Sequence, residues 1–157
     1  MKKRNLSAKK TIHNFYIEKL KNPKIKKIYL RFKNELSEVL NENYCVAISG
    51  GPDSMALAFL TKCLSLETKK NYIFCHVDHR LRKSSNQEAK ETKKNLRKFY
   101  INLNILKWTG NKKSSNIQEI ARLKRYELLL KKSKRYKINK ILTAHHKDDL
   151  YENFIIR

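Results

Sequence analysis

This chain is poor in the residues that bend backbones and cross-link them: its 157 residues include three glycines, two prolines and three cysteines. Cys45, Cys63 and Cys75 are odd in number, far apart and set among apolar neighbours, so they read as buried thiols of a reducing compartment. The absence of any Cys-x-x-Cys removes the usual frame for structural zinc or an iron–sulfur cluster. No apolar run approaches the roughly 18 residues needed to cross a bilayer. The lysine-rich start MKKRNLSAKK leads into TIHNFYIEKL, where His13 and Glu18 spoil a secretory core. Repeats and low-complexity linkers are missing too. The expectation is a cytoplasmic protein with one compact domain and no membrane partner.

Acidic residues are also short. Lys and Arg number 37 against 14 Asp and Glu, a formal charge of +23. A positive field of that strength favours a polyanion such as nucleic acid. The same lysines, accompanied by abundant asparagine and isoleucine, are equally what an AT-rich genome would encode.

Residues 1–21 are dense in charge with little periodicity and read as a basic arm of uncertain order. Asn22-Pro23 supplies a cap and a proline at the first helical position. Ile25, Ile28, Tyr29, Phe32, Leu36, Val39 and Leu40 then recur every three or four residues, which predicts an amphipathic helix ending near Asn41. Strands are predicted at 43–49 (NYCVAIS), 72–77 (YIFCHV), 103–108 (LNILKW) and 138–144 (INKILTA). Between them fall a helix over about 53–66, one capped by Ser85 and Glu88 with Leu96, Phe99 and Tyr100 as apolar contacts, and a long basic one introduced by Ser115 and Gln118. HHKDDLYENFIIR predicts a last helix. Such alternation implies an α/β fold: a doubly wound parallel sheet with helices on both faces, preceded by an N-terminal helix. In such sheets ligands sit beyond the carboxyl ends of the strands. SGGPDS, DHRLR and HHKDD all fall there.

Two of the three glycines, Gly50 and Gly51, adjoin in SGGPDS. Without side chains they let main-chain N–H groups face an anion, to which the following helix adds its positive end. The loop lacks the lysine of a Walker motif and the spacing of a dinucleotide fingerprint. A tight strand-to-helix turn capped by Asp53 or Ser54 explains the glycines as well.

The whole string resembles the signature of the PP-loop, or N-type ATP pyrophosphatase, superfamily, whose Ser-Gly-Gly-x-Asp-Ser binds the pyrophosphate part of ATP. Within it, HVDHRLR (76–82), SNIQEIARLKRYELL (115–129) and LTAHHKDDLYENFIIR (142–157) are similar to the tRNA(Ile)-lysidine synthetase family. The resemblance implies a Rossmann-like fold of the adenine nucleotide alpha hydrolase type over residues 22–157, expected to be truncated at its C-terminal end. It implies ATP and Mg²⁺ as cofactors, and tRNA(Ile) with a CAU anticodon and free L-lysine as partners. A homodimer is allowed for. The expected reaction adenylates carbon 2 of the wobble cytidine, after which lysine displaces AMP to give lysidine.

Carried over position by position, Ser49, Gly50, Gly51, Pro52 and Ser54 would line the phosphate cradle, with Asp53 on the metal. Main chain near Val77 would face adenine, with Asp78, His79 and Arg82 at the rim. His145 would reach the reacting phosphate or base, Asp149 and Glu152 the amino groups of lysine, and Arg122 and Arg125 the phosphates of ATP or RNA. Each has a plainer reading: Asp53 as a helix cap, His145 as an ordinary histidine, Asp149 and Glu152 as acids at a helix dipole, the arginines as a solvated face. Where the family usually has Gln and Thr in its His-His-x-Asp-Asp-Gln-x-Glu-Thr pattern, this chain has Leu150 and Asn153, so two polar contacts are expected to be missing or rearranged.

Three other readings stay open at this level. A two-metal phosphohydrolase could use His76, Asp78, His79, His145, His146, Asp148 and Asp149, although it leaves SGGPDS unexplained. A sister PP-loop activity, tRNA thiolation, fits the loop but lacks its usual cysteine pairs. A non-catalytic RNA-binding remnant fits the charge.

Overall fold

The structure is a computed structural model that describes residues 2–36, 42–68, 70–110 and 116–144. Its elements run α1 (Lys2–Leu20), α2 (Pro23–Glu35), β1 (Tyr44–Ala47), α3 (Pro52–Glu67), β2 (Tyr72–Asp78), α4 (Ser85–Arg97), β3 (Leu103–Lys107), α5 (Ile117–Lys134) and β4 (Lys140–Leu142). The four strands form one parallel sheet in the order β3-β2-β1-β4. The chain winds outward from β1 to β3, then crosses back past β1 to β4, so the winding reverses between β1 and β4. A crevice at the carboxyl ends of those two strands follows from this topology.

Each strand alternates its side chains between two cores, as a period of two requires. Tyr44, Val46 and Phe74 join Ala58 of α3 and Leu96 of α4 on one face. Cys45, Cys75 and Val77 join Leu129 of α5 and Ile138 on the other. The α/β sheet with helices on both faces is therefore as expected. All three thiols are buried and free. Burial pushes the Cys63 thiol up to about 12, and the neighbouring Cys45 thiol, together with burial, raises the Cys75 thiol.

The N-terminus differs from the expected arm. Residues 2–20 form α1, and Tyr16 buries itself against Tyr29 of α2 and Cys63 and Leu64 of α3 in a third apolar cluster. The helix after it begins as foreseen, with Asn22 Oδ1 accepting from the Lys24 and Ile25 amides and Pro23 inside the first turn. Its periodic Ile28 faces solvent at 58% exposure, while Tyr29 is buried. The cap of α4 also shifts by one residue: Ser84, not Ser85, precedes the helix, and its hydroxyl donates to Glu88 Oε1 at 2.7 Å. Helix α5 starts after Asn116, and Ser115 lies outside the described residues. Among the described residues no helix is long and apolar enough to cross a membrane.

Candidate functional site

At the reversal point a cleft of about 390 Å³ opens. Ile48 and Ser49 border it after β1, residues 76–79 at the end of β2, and Thr143 and Ala144 after β4; Arg82, Glu88 and Arg125 complete its wall. Sheet order thus gathers three segments that are remote in sequence.

The SGGPDS loop links β1 to α3. Gly50 has φ +102°, a conformation L side chains rarely adopt, and a Cβ there would lie 2.8 Å from Thr92 Oγ1 on α4. Gly51 has an ordinary φ of −72° and is the N-cap of α3. A Cβ added to it would meet only Ser49 Oγ, at 3.7 Å. Pro52 occupies the first helical position, where a missing N–H costs nothing.

Ser54 ties the turn together. Its buried hydroxyl donates to Gly51 O at 2.9 Å and accepts from Gly50 N–H and from Ser49 Oγ, both at 3.1 Å. Gly51 N–H in turn donates to Ser49 Oγ at 3.4 Å. The two glycine amides expected to face an anion are therefore engaged by serine hydroxyls. The amides of the first turn of α3 have no intrahelical acceptor and carry the positive end of the helix dipole. Asp53 lies exposed in that turn.

Two strand-end residues hold the cleft's far wall. His76 is 9% exposed, and its Nδ1 lies 2.8 Å from Ile48 O; the acceptor is a carbonyl, so Nδ1 carries the proton. The Ile48 amide donates to Cys75 O at 2.8 Å, so the residue before the loop is clamped to β2 on both sides. Burial lowers the His76 pKa, opposed by that hydrogen bond and by Asp78, which leaves a neutral imidazole at neutral pH. Asp78 was expected at the rim but is 1% exposed. Its Oδ1 accepts from the Arg80 amide at 2.9 Å, fixing a turn in which Arg80 takes φ +54°. Its Oδ2 has no hydrogen-bond partner among the described residues and lies 3.9 Å from Arg80 Nε.

Val77, Arg125, Ser49 and Ser54 line the cleft. Arg122, three residues before Arg125 on α5, is exposed, so the structure separates the pair. His145, Asp149 and Glu152 lie outside the described residues, as do His146, Asp148, Leu150 and Asn153. Among the described residues no three His, Cys, Asp or Glu side chains gather as a metal site. Sequence reasoning missed Thr92, which backs Gly50 from another element, and the clamp made by His76. Neither has a local signal, because each acts across strands or helices remote in sequence.

Comparison with known proteins adds to this geometry. A tRNA(Ile)-lysidine synthase from Lactobacillus gasseri is 36% identical over 126 residues, covering 80% of this chain and 29% of that protein. One from Rickettsia bellii is 31% identical over 134 residues, covering 83% and 31%, and one from Orientia tsutsugamushi 35% over 117, covering 74% and 26%. The chain thus spans about three tenths of the length of these relatives. A solved structure, the U34-tRNA thiolase NcsA from Methanococcus maripaludis with its [4Fe-4S] cluster, superposes with a TM-score of 0.72 over 84% of this chain and 48% of its own, at 19% identity, and shares the fold. The PP-loop domain family matches residues 22–157, from the cap of α2 onward. With that match over most of its length, the chain belongs to the PP-loop domain family.

Proposed function

We propose that this chain is the ATP-activating part of a tRNA(Ile)-lysidine synthetase. It would bind ATP at the β1–α3 loop and support adenylation of the wobble cytidine of tRNA(Ile) with a CAU anticodon in the cytoplasm. The observation that carries the reading is Gly51: its backbone is unstrained, yet a Cβ there would point into nearly open space. Neither backbone strain nor crowding by the protein demands glycine at that position. Close approach of a ligand to main chain would account for it, and a phosphate beside the first turn of α3 fits that space.

The residues also fit a divalent cation. Mg²⁺ is usually held by one or two carboxylates together with substrate phosphates, and Asp53 places one carboxylate in the first turn of α3. When bound, the cation would offset the negative charge of the phosphates. Ser49 and Ser54 would exchange their hydrogen bonds within the loop for phosphate oxygens, and Arg125 would add a guanidinium from α5. His76 would keep Ile48, and hence the loop, in register.

In the reaction the cytidine O2 bonds to the α-phosphorus as the α–β phosphoanhydride breaks, releasing pyrophosphate. The ε-amine of lysine then bonds to C2, AMP leaves, and the amine gives up a proton. Asp149 and Glu152 are proposed to receive lysine and His145 to serve the reacting phosphate or base.

Calorimetry should show that the chain binds ATP, and absence of affinity would overturn the reading. With the tRNA(Ile) transcript, exchange of labelled pyrophosphate into ATP should be lost in Asp53→Ala while the circular dichroism spectrum is kept. Undiminished AMP formation in that variant would overturn the role given to Asp53.

A further inference from the structure

A second groove, of about 330 Å³, runs between the edge strand β3 and α5. Its floor is Leu106 and Leu128, and its walls carry Lys107, Lys131, Lys132 and Arg135 with no acidic residue among them. We propose that this groove is a docking surface for an RNA phosphate backbone, separate from the nucleotide cleft.

The cations of α5 by themselves have an ordinary explanation, since Lys131, Lys132 and Lys134 occupy its last turn, where they complement the dipole. Lys107 does not. It ends β3, on another element, and still meets the same groove. Leu128, Lys131, Lys132 and Arg135 recur at helical spacing, so one stripe of α5 faces the groove along two turns. Tyr136 next to it is 47% exposed, with Lys132 Nζ 5.0 Å from its ring centroid, giving an aromatic surface beside the cations.

Position argues for RNA over an acidic protein. In the sheet register Lys107 pairs with Asp78, which borders the nucleotide cleft. A strand of nucleic acid lying in the groove therefore starts one strand away from the site where a base would react. The inference rests on the proposed RNA substrate but not on any active-site residue.

The test measures binding of a fluorescent tRNA(Ile) anticodon stem-loop to the whole chain over a salt titration, without ATP. Neutralising three phosphate contacts in Lys131→Ala/Lys132→Ala/Arg135→Ala should weaken binding about tenfold or more and flatten the log–log salt slope by about 2. Lys131→Arg/Lys132→Arg/Arg135→Lys should retain both. The control, Lys26→Ala/Lys27→Ala/Arg31→Ala on the exposed face of α2, removes the same charge elsewhere and should change little. Equal losses in groove and control variants overturn the proposal, as does an unchanged slope in the groove variant. Polyglutamate competing as well as RNA of equal charge also overturns it, in favour of an acidic protein. Groove-dependent RNA binding without pyrophosphate exchange sustains the groove and sinks the active-site reading; exchange with groove-independent binding does the reverse.

Discussion

Gly50 and Gly51 adjoin in sequence but answer to different constraints. Gly50 combines φ +102° with a neighbour 2.8 Å from where a Cβ would sit. Gly50→Ala should therefore cost about 1–3 kcal/mol of stability from backbone strain, before the contact with Thr92 is added. Gly51→Ala should change stability by less than about 1 kcal/mol, since its φ is one alanine adopts readily, yet weaken ATP binding strongly. Denaturant melts and ATP calorimetry on the two variants check this, and the pattern reversed would refute the division of roles. The doubled glycine was legible in the sequence as a strand-to-helix turn. Which glycine serves the fold was not, because Thr92 reaches Gly50 from α4. The same holds for Arg122 and Arg125: a helix face predicts that they project together, but only the packing of α5 on the sheet decides that Arg125 alone lines the cleft.

At the scale of elements, the basic arm became a helix because of its partners. Ile12, Phe15, Tyr16 and Leu20 make an apolar stripe too sparse to stand out among charged and polar neighbours. Its stability comes from contact: Phe15 meets Phe99 and Tyr100 edge-on at centroid distances of 6.2 and 5.4 Å, and the Tyr16 hydroxyl donates to Phe99 O, 83 residues away. Most of a helix's stability in a folded protein comes from packing of its apolar face, and packing decides this one. Tyr16→Ala should cost about 3–5 kcal/mol and Tyr16→Phe about 1 kcal/mol, read from the midpoint of urea unfolding. A midpoint unmoved by Tyr16→Ala would return residues 1–21 to the status of an undocked arm. Ile28 teaches the complementary lesson: periodicity marked it as core, but α1 and α3 cover the side of α2 that bears Tyr29.

For the whole molecule, a charge of +23 on 157 residues means that like charges repel across the compact state. Ion pairs such as Lys21–Glu18 and Lys124–Glu127 are exposed, so they offset little of it. Sodium chloride should accordingly raise the melting temperature as the Debye length falls from about 10 Å at 0.1 M to about 3 Å at 1 M. A melting temperature that falls with salt would mean that attractive pairs dominate. Sequence alone determined the alternation of strands and helices, the glycine turn before α3 and the excess of positive charge, because each is written in local spacing or simple composition. Only the tertiary structure decided where the winding reverses, that His76 clamps the loop through Ile48, that Asp78 is buried, and that Lys107 shares a groove with α5. Those depend on which strands become neighbours, and strand order is set by the joint burial of both faces of the sheet, a condition no local stretch contains.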